Sequence, residues 1–394
     1  MKILITTDTY APSVNGVVTS IRSLCAALSS LGHEVRILTL APKAERSYQE
    51  DNVYYLRSFR CAVYPDARLT IAFRDPLLRK IEEWSPDIIH SQTEFSAFFC
   101  ARHLARRLGI PLVHTYHTLY EDYTCYFSPS KTIGAQAIRS FTRLVSRSVT
   151  VLCAPSVKVQ QTLMRYRVHA PISVLPTGID LSRFGHALPA QKREALLHGL
   201  DLPQDAQVIL SLGRIAEEKN YDVLLQNVAP VLRERENTYF LVVGDGPYRE
   251  ELEKQVDFLG LRDKVRFSGM VAPGDVPAYY MLGDVFVCAS TSETQGLTYL
   301  EAMASGLPQV VQKDDCLLGV VNDGENGFQY TSPEECANRL RTLLDDDAYR
   351  GMLSENAKAG AHSFGMEVFG ERAESCYRAL LSSAVPARSA VLCE

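Results

Sequence analysis

Apolar runs of strand length alternate with amphipathic stretches of helix length twice along this 394-residue chain, and nothing else in the sequence limits its fold as tightly. In the first series Lys2–Thr7, Glu34–Leu40, Asp87–His90, Pro111–Thr115 and Val149–Ala154 read as strands. Gly16–Leu31, Phe95–Leu108 and Thr132–Arg147 read as helices among them. The helix from Gly16 sets Val18, Ile21, Leu24, Cys25 and Leu28 on one face, and Gly32 closes it. After a softer segment from Pro176 to about Pro203 the pattern restarts. Val208–Gly213, Tyr239–Gly244, Lys264–Gly269, Asp284–Ala289 and Gln309–Gln312 are its strands; Asn220–Arg235, Tyr248–Leu259, Asp275–Met281 and Pro333–Leu344 are helices, with helix continuing to the end. Such alternation implies parallel sheets covered by helices on both faces. The expected class is α/β, with two Rossmann-like doubly wound domains, residues 1–185 and 186–370. Open parallel sheets bind ligands beyond the carboxyl ends of their strands, so the expected site is the cleft between the domains.

Composition narrows the classes. The N-terminal apolar run is too short for a signal peptide and no stretch approaches the ~18 apolar residues of a membrane span, so a cytoplasmic protein is expected. The ten cysteines are scattered without a Cys-x-x-Cys pair, which fits small core residues in a reducing compartment better than a zinc site. The net charge of −5 hides an asymmetry: residues 1–185 hold 22 Lys and Arg against 14 Asp and Glu, and residues 186–394 hold 19 against 32. A basic first half suggests an anionic membrane surface or substrate. Nucleic acid is not expected as a partner, because no Lys/Arg run or aromatic-basic motif accompanies the charge. Arg68–Trp84 mixes basic residues with Leu69, Ile71, Phe73, Leu77, Leu78 and Ile81, a pattern shared by interfacial segments and by core-facing helices with a charged outer face.

The chemistry concentrates at strand ends. Ser292–Glu301 joins the strand at Asp284–Ala289 to a short helix ended by Gly306 and Pro308. A helix start beyond a strand suits phosphate. Glu293 and Glu301 would repel phosphate, but they accept hydroxyl donors; phosphate and hydroxyls held together describe a nucleotide sugar. A capped surface helix with two solvated glutamates is the plainer alternative. Gly213-Arg214 follows another strand, and Lys219 stands where the next helix begins. Together they can neutralise a diphosphate leaving group without a metal, or else form surface pairs with Glu217 and Glu218. Asp8–Gly16 runs from the first strand into the first helix, where Gly16 allows close approach of backbone to a ligand. His117 lies past a strand end and is read as either structural or part of the site. Gly244-Asp-Gly246 has only the beginning of a dinucleotide fingerprint, no nucleophile elbow is visible, and Asp345–Asp347 reads as a solvated turn and not a metal site.

Gly-Arg214-x4-Lys219, then Ser-Glu293-Thr-Gln-Gly-Leu, then Leu-Glu301-Ala-Met-Ala-Ser-Gly, with Gly16 and His117 before them, resemble family 4 glycosyltransferases of the GT-B fold. His90-Ser-Gln92-Thr-Glu94, His117-Thr-Leu-Tyr120-Glu-Asp-Tyr and Ser292–Thr298 resemble, more narrowly, bacterial 1,2-diacylglycerol 3-alpha-glucosyltransferases. The resemblance implies a retaining transfer from UDP-glucose to diacylglycerol at the inner face of the cell membrane, with no cofactor or protein-bound metal and a divalent cation at most stimulatory. It implies that Arg214 and Lys219 bind the diphosphate, helped by amides at Gly16 and at Gly296, Leu297 and Thr298. Glu301 would hold the ribose and Glu293 the donor sugar; Met270 and Val271 would hold the base, with His117 beside the reacting sugar. Gln92 and Tyr120, in those motifs, and Arg68, Phe73 and Arg74, in the amphipathic segment, are candidate contacts to acceptor or membrane. A last helix, about residues 371–394, would complete the first domain; the tail from Ser383 is unassigned. The family's glycines at Asn220 and Asn15 are replaced here. Another donor (UDP-galactose or GDP-mannose), another lipid or soluble acceptor, and a non-catalytic nucleotide-sugar-binding protein remain alternatives.

Overall fold

A computed structural model describes residues 1–13, 15–42, 46–60, 68–72, 74–121 and 130–383. The expectations at Phe73 and for the tail beyond Ser383 lie outside the described residues. The chain divides into two compact units, one of Met1–Gly178 with the helix that starts at Met366, the other of Ile179–Gly365. The divisions expected from the sequence are 185 and 370.

Among the described residues the strands of the first unit are β1 (Lys2–Thr6), β2 (Glu34–Leu40), β3 (Tyr48–Glu50), β4 (Val53–Leu56), β5 (Phe59–Arg60), β6 (Arg68–Leu69), β7 (Ile88–Ser91), β8 (Leu112–Thr115), β9 (Val151–Ala154) and β10 (Ile172–Val174). β5 and β6 pair with each other; the rest form an eight-stranded sheet in the order β10-β9-β8-β7-β1-β2-β4-β3. Its pairs are parallel apart from β3 with β4. Successive side chains of a strand point to opposite faces. Ile3 and Ile5 accordingly pack with α1 (Gly16–Ser30) and α13 (Met366–Ser383). Leu4 packs on the other face with α2 (Pro76–Trp84) and α3 (Ser96–Leu108). On that face too, α4 (Lys131–Ser146) contributes Val145 to the cluster around Leu4, and α5 (Val157–Arg165) covers β9 through Val159 and Leu163. α13 crosses α1 closely, since a Cβ on Gly370 would stand 2.7 Å from that of Ala27.

The apolar side of the Arg68–Trp84 segment belongs to this core. Leu77, Leu78, Ile81 and Trp84 of α2 are buried, while Arg74, Arg79 and Lys80 face solvent. The core-facing reading of that helix holds, so α2 has no apolar face left for a bilayer; Ile71 before it is exposed. Among the described residues no helix is long and apolar enough to cross a membrane.

The second unit contains β11 (Gln207–Leu212), β12 (Thr238–Val243), β13 (Val265–Phe267), β14 (Val285–Cys288), β15 (Gln309–Gln312) and β16 (Gly327–Tyr330), all parallel, in the order β13-β12-β11-β14-β15-β16. α7 (Tyr221–Glu234), α8 (Arg249–Phe258) and α11 (Pro333–Asp345) cover one face. α6 (Ala190–Gly199), α9 (Val276–Tyr280) and α10 (Leu297–Ala304) cover the other, and α12 (Asp347–Ala361) reaches both cores. α6 escapes a reading of the sequence because Leu197 is its one buried residue, too little to leave a periodic signal. Apart from the antiparallel edge strand β3, the strand order of each sheet reverses at one point, between β1 and β7 and between β11 and β14. A crevice opens at the carboxyl ends of the strands at such a reversal.

Candidate active site

In the second unit the predicted residues gather at the reversal between β11 and β14. β11 ends at Leu212, and Gly213–Ile215 lies against the end of β12: Gly213 N–H donates to the Val243 carbonyl at 2.9 Å, and Ile215 N–H to that of Asp245 at 3.0 Å. A Cβ on Gly244 would stand 2.0 Å from the Gly213 carbonyl oxygen, and one on Gly246 2.2 Å from that of Ile215. The Gly-x-Gly pair therefore serves this backbone crossing, which sets Arg214 exposed at the strand tip. A turn over Glu217–Lys219 follows. Asn220 has φ +53°, the left-handed conformation glycine adopts most easily, and its side-chain amide donates to the Ala289 carbonyl at 3.0 Å. The asparagine thus keeps the backbone conformation open to glycine and adds a tie to the end of β14.

From β14 the chain turns back. Ser292 Oγ donates to the Glu218 carbonyl at 3.1 Å, and Lys219 Nζ donates to Glu293 Oε1 at 2.5 Å. The ion pair of Lys219 thus crosses to the neighbouring strand end. Gly296 has φ +74°, and a Cβ there would stand 2.4 Å from the Tyr299 ring, so glycine is required by the turn and by packing. Leu297 and Thr298 open α10, and Tyr280 donates its hydroxyl to Glu301 Oε2 at 2.9 Å. Glu301 is half-buried as a residue but its carboxyl is enclosed. That enclosure pushes the carboxyl up to about 7, against the opposing hydrogen bond from Tyr280 and the charge of Arg183. Beyond β13, Met270 is exposed and Val271 half-buried. The unit thus supplies an exposed guanidinium, an ammonium paired to a carboxylate, a helix start and an enclosed second carboxyl, groups suited to a polyhydroxylated diphosphate.

In the first unit the ends of β1, β7 and β8 carry a buried polar cluster. His117 and Gln92 meet there, Nε2 to Oε1 at 2.8 Å, which assigns the ring proton to Nε2 and leaves Nδ1 as acceptor. Burial, with His114 adding to it, pushes the imidazole down to about 3. Tyr120 donates to Glu94 Oε2 at 2.6 Å, so both Gln92 and Tyr120 are engaged within the unit. Arg68 donates to Ser58 Oγ at 2.6 Å. Gly16 is the first residue of α1, and a Cβ there would meet nothing within 4 Å. Asn15 caps α1 by accepting from Val18 N–H at 2.9 Å, a reason for asparagine at that position.

Sequence reasoning passes over Asp8 and Glu94. Asp8 accepts from Thr93 Oγ1 at 2.6 Å and from the Ala97 N–H at 2.8 Å, and burial pushes it up to about 6. Glu94 Oε1 lies 3.3 Å from His114 Nε2, with both side chains buried. The one signal for them in the sequence is an acidic residue a few places past each strand end.

Comparison with known proteins identifies the family and the fold. The description "Glycosyltransferase Family 4" matches residues 14–183, and "Glycosyl transferases group 1" matches residues 192–360. The chain is 35% identical over 380 residues to the alpha-monoglucosyldiacylglycerol synthase of Streptococcus pneumoniae, covering 96% of this chain and 85% of that one. It is 31% identical to the protein of the same name from Acholeplasma laidlawii, covering 97% and 98%. Among solved structures, the Anabaena protein Alr3699/HepE in complex with UDP-glucose superposes with a TM-score of 0.76 at 21% identity, covering 96% of this chain and 100% of that one. The two wound parallel sheets are those of the GT-B fold, and the chain belongs to glycosyltransferase family 4.

Proposed function

We propose that this chain is a retaining hexosyltransferase that moves glucose from UDP-glucose to the 3-hydroxyl of 1,2-diacylglycerol, making a membrane glycolipid as a peripheral protein on the cytoplasmic face. The observation that carries the reading is the likeness, nearly end to end, to two proteins named alpha-monoglucosyldiacylglycerol synthase. The basic first half, with 22 Lys and Arg against 14 Asp and Glu, supports an anionic membrane as its partner.

Arg214 and Lys219, with the amides at the start of α10 and near Gly16, take the growing charge of the departing diphosphate. Glu301 accepts from the ribose hydroxyls and Glu293 from those of glucose; the loop at Met270 and Val271 receives the base. The acceptor hydroxyl attacks the anomeric carbon on the face the diphosphate leaves. Its proton passes to the departing phosphate oxygen, so configuration is retained without a protein nucleophile. A neutral His117 beside the sugar offers hydrogen bonding without adding charge to the oxocarbenium-like transition state.

The test is incubation with radiolabelled UDP-glucose and diacylglycerol in vesicles with and without phosphatidylglycerol, beside UDP-galactose and GDP-mannose. Labelled monoglucosyl lipid of α configuration is expected. No labelled lipid under any acyl-chain or anionic-lipid condition, or product only from another donor, overturns the assignment.

A further inference from the structure

Arg183 lies outside every motif above, in a short turn over Leu181–Arg183 at the start of the second unit. Its guanidinium donates to the Pro273 carbonyl, two residues beyond Val271, and stands 5.6 Å over the Phe184 ring. Phe184 is buried and meets Tyr280 edge to face, with ring centroids 6.0 Å apart. Tyr280 in turn holds Glu301 at 2.9 Å. The segment is fastened at its other side, because Gly185 has φ +75° and a Cβ there would stand 2.9 Å from the Ala304 carbonyl at the end of α10.

We propose that Arg183 is a positioning residue of the donor site, tying the Met270–Pro273 loop, through Phe184, to the Tyr280–Glu301 pair that would accept a donor hydroxyl. The assignment rests on the donor-site reading of Glu301 and of the Met270–Val271 loop given above. Two contacts run from one side chain and its neighbour: the guanidinium fixes the loop backbone, and the ring beneath it fixes the tyrosine that orients the carboxyl. The charge acts as well. Tyr280 of α9, which is neutral, donates to the Glu301 carboxyl, and Arg183 is the cation whose charge acts on it. On α12, packed against α10, Lys358 lies beside Gly306, past the carboxyl end of α10, and pairs with Glu355. Enclosure favours the protonated carboxyl, and Arg183 opposes it. A ribose hydroxyl needs an acceptor, so losing this cation weakens donor binding most where Glu301 is poised between its two forms.

The experiment is a 13C-carboxyl NMR titration of the full chain labelled at glutamate, with the Glu301 signal identified by its loss in Glu301→Gln. Arg183→Gln is expected to move the Glu301 midpoint upward by about half a unit to one unit, and Arg183→Lys to leave it near the wild-type value. Calorimetric binding of UDP-glucose from about pH 6 to 8.5 is the second readout; its phosphates do not titrate there. Arg183→Gln is expected to lose roughly 2- to 5-fold in affinity near pH 7 and less near pH 8.5, with Arg183→Lys recovering most of it. An unchanged midpoint, or an affinity loss equal at every pH, overturns the proposal. A wild-type chain that binds no UDP-glucose at any pH overturns the donor reading instead, and the NMR midpoint, which needs no ligand, still decides the coupling.

Discussion

Lys219 Nζ lies 2.5 Å from Glu293 Oε1, with the two side chains only 22% and 18% exposed. One ammonium cannot serve this carboxylate and a diphosphate equally, so donor binding is expected to draw Lys219 away and free Glu293 for the sugar. Glu293→Gln removes the competitor and is expected to tighten binding of UDP, which lacks the sugar, by roughly 3- to 10-fold. Lys219→Met is expected to weaken it by about 10- to 100-fold. Calorimetry with UDP checks both; weaker UDP binding in Glu293→Gln contradicts the exchange.

Glu301 gives stability a definite pH dependence. Enclosure raises its carboxyl from the ordinary 4.5 to about 7, so between those values the folded chain keeps a proton that the unfolded chain has released. Stability from this group falls as pH rises through that window and levels off above it. Glu301→Gln is expected to be more stable than wild type near pH 8, by up to about 3 kcal/mol, and no more stable near pH 4. Urea denaturation at both pH values measures the difference, and equal gains at the two would contradict the linkage.

Two glycines should respond in opposite ways to alanine. Gly244→Ala puts a methyl 2.0 Å from the Gly213 carbonyl oxygen and is expected to lower the melting temperature and displace the Arg214 loop. Gly16→Ala meets nothing within 4 Å and should leave melting unchanged or slightly raised. Its expected cost is in turnover, at least about tenfold, through the space a donor phosphate needs near that backbone. Melting curves and glucosyl transfer measured on the same preparations separate the two effects.

With its imidazole pushed down to about 3, His117 stays neutral across the working range. The pH profile of kcat is therefore expected to show no inflection from His117 between about pH 5 and 8. Gln92→Leu removes the oxygen that holds Nε2–H and is expected to lower kcat by about 10-fold or more with a smaller change in KM. An inflection near 6 to 7 that vanishes in His117→Gln would show that the ring titrates.

The helix α2 offers a control on membrane binding. Leu78 is 3% exposed in the core, so Leu78→Ala is expected to cost about 2–5 kcal/mol in the absence of lipid. Reversing Arg79 and Lys80 to glutamate should change stability by about 0.5 kcal/mol or less while weakening sedimentation with phosphatidylglycerol vesicles. Unaltered vesicle binding in that double variant would remove this face from the docking surface.

Strand ends are the informative places in the sequence. An apolar run followed by a glycine or a polar pair locates a carboxyl tip, and that pattern alone singles out Arg214, Lys219, Glu293 and His117. The short strands β3, β4 and β10 and the helices α5 and α6 are not legible. Strands of three or four residues, a nine-residue helix and a ten-residue helix burying one leucine leave too little periodicity above the surrounding loops. Gly244-Asp-Gly246 resembles the beginning of a phosphate motif, and the structure assigns it to a backbone crossing that no local pattern encodes.

Local periodicity dictates which segments are strands and helices, because a residue's side alternates with its position along its own element whatever lies next to it. Strand order is different in kind. β11 and β14 are neighbours although β12 and β13 intervene in the chain, and only that pairing brings Lys219 to Glu293. The enclosure of Glu301 beneath Tyr280 and the neutral state of His117 arise in the same way, since burial is supplied by residues distant in sequence. Residue types and their tips can be read along the chain; their partners, charges and proton affinities are decided where non-consecutive strands meet.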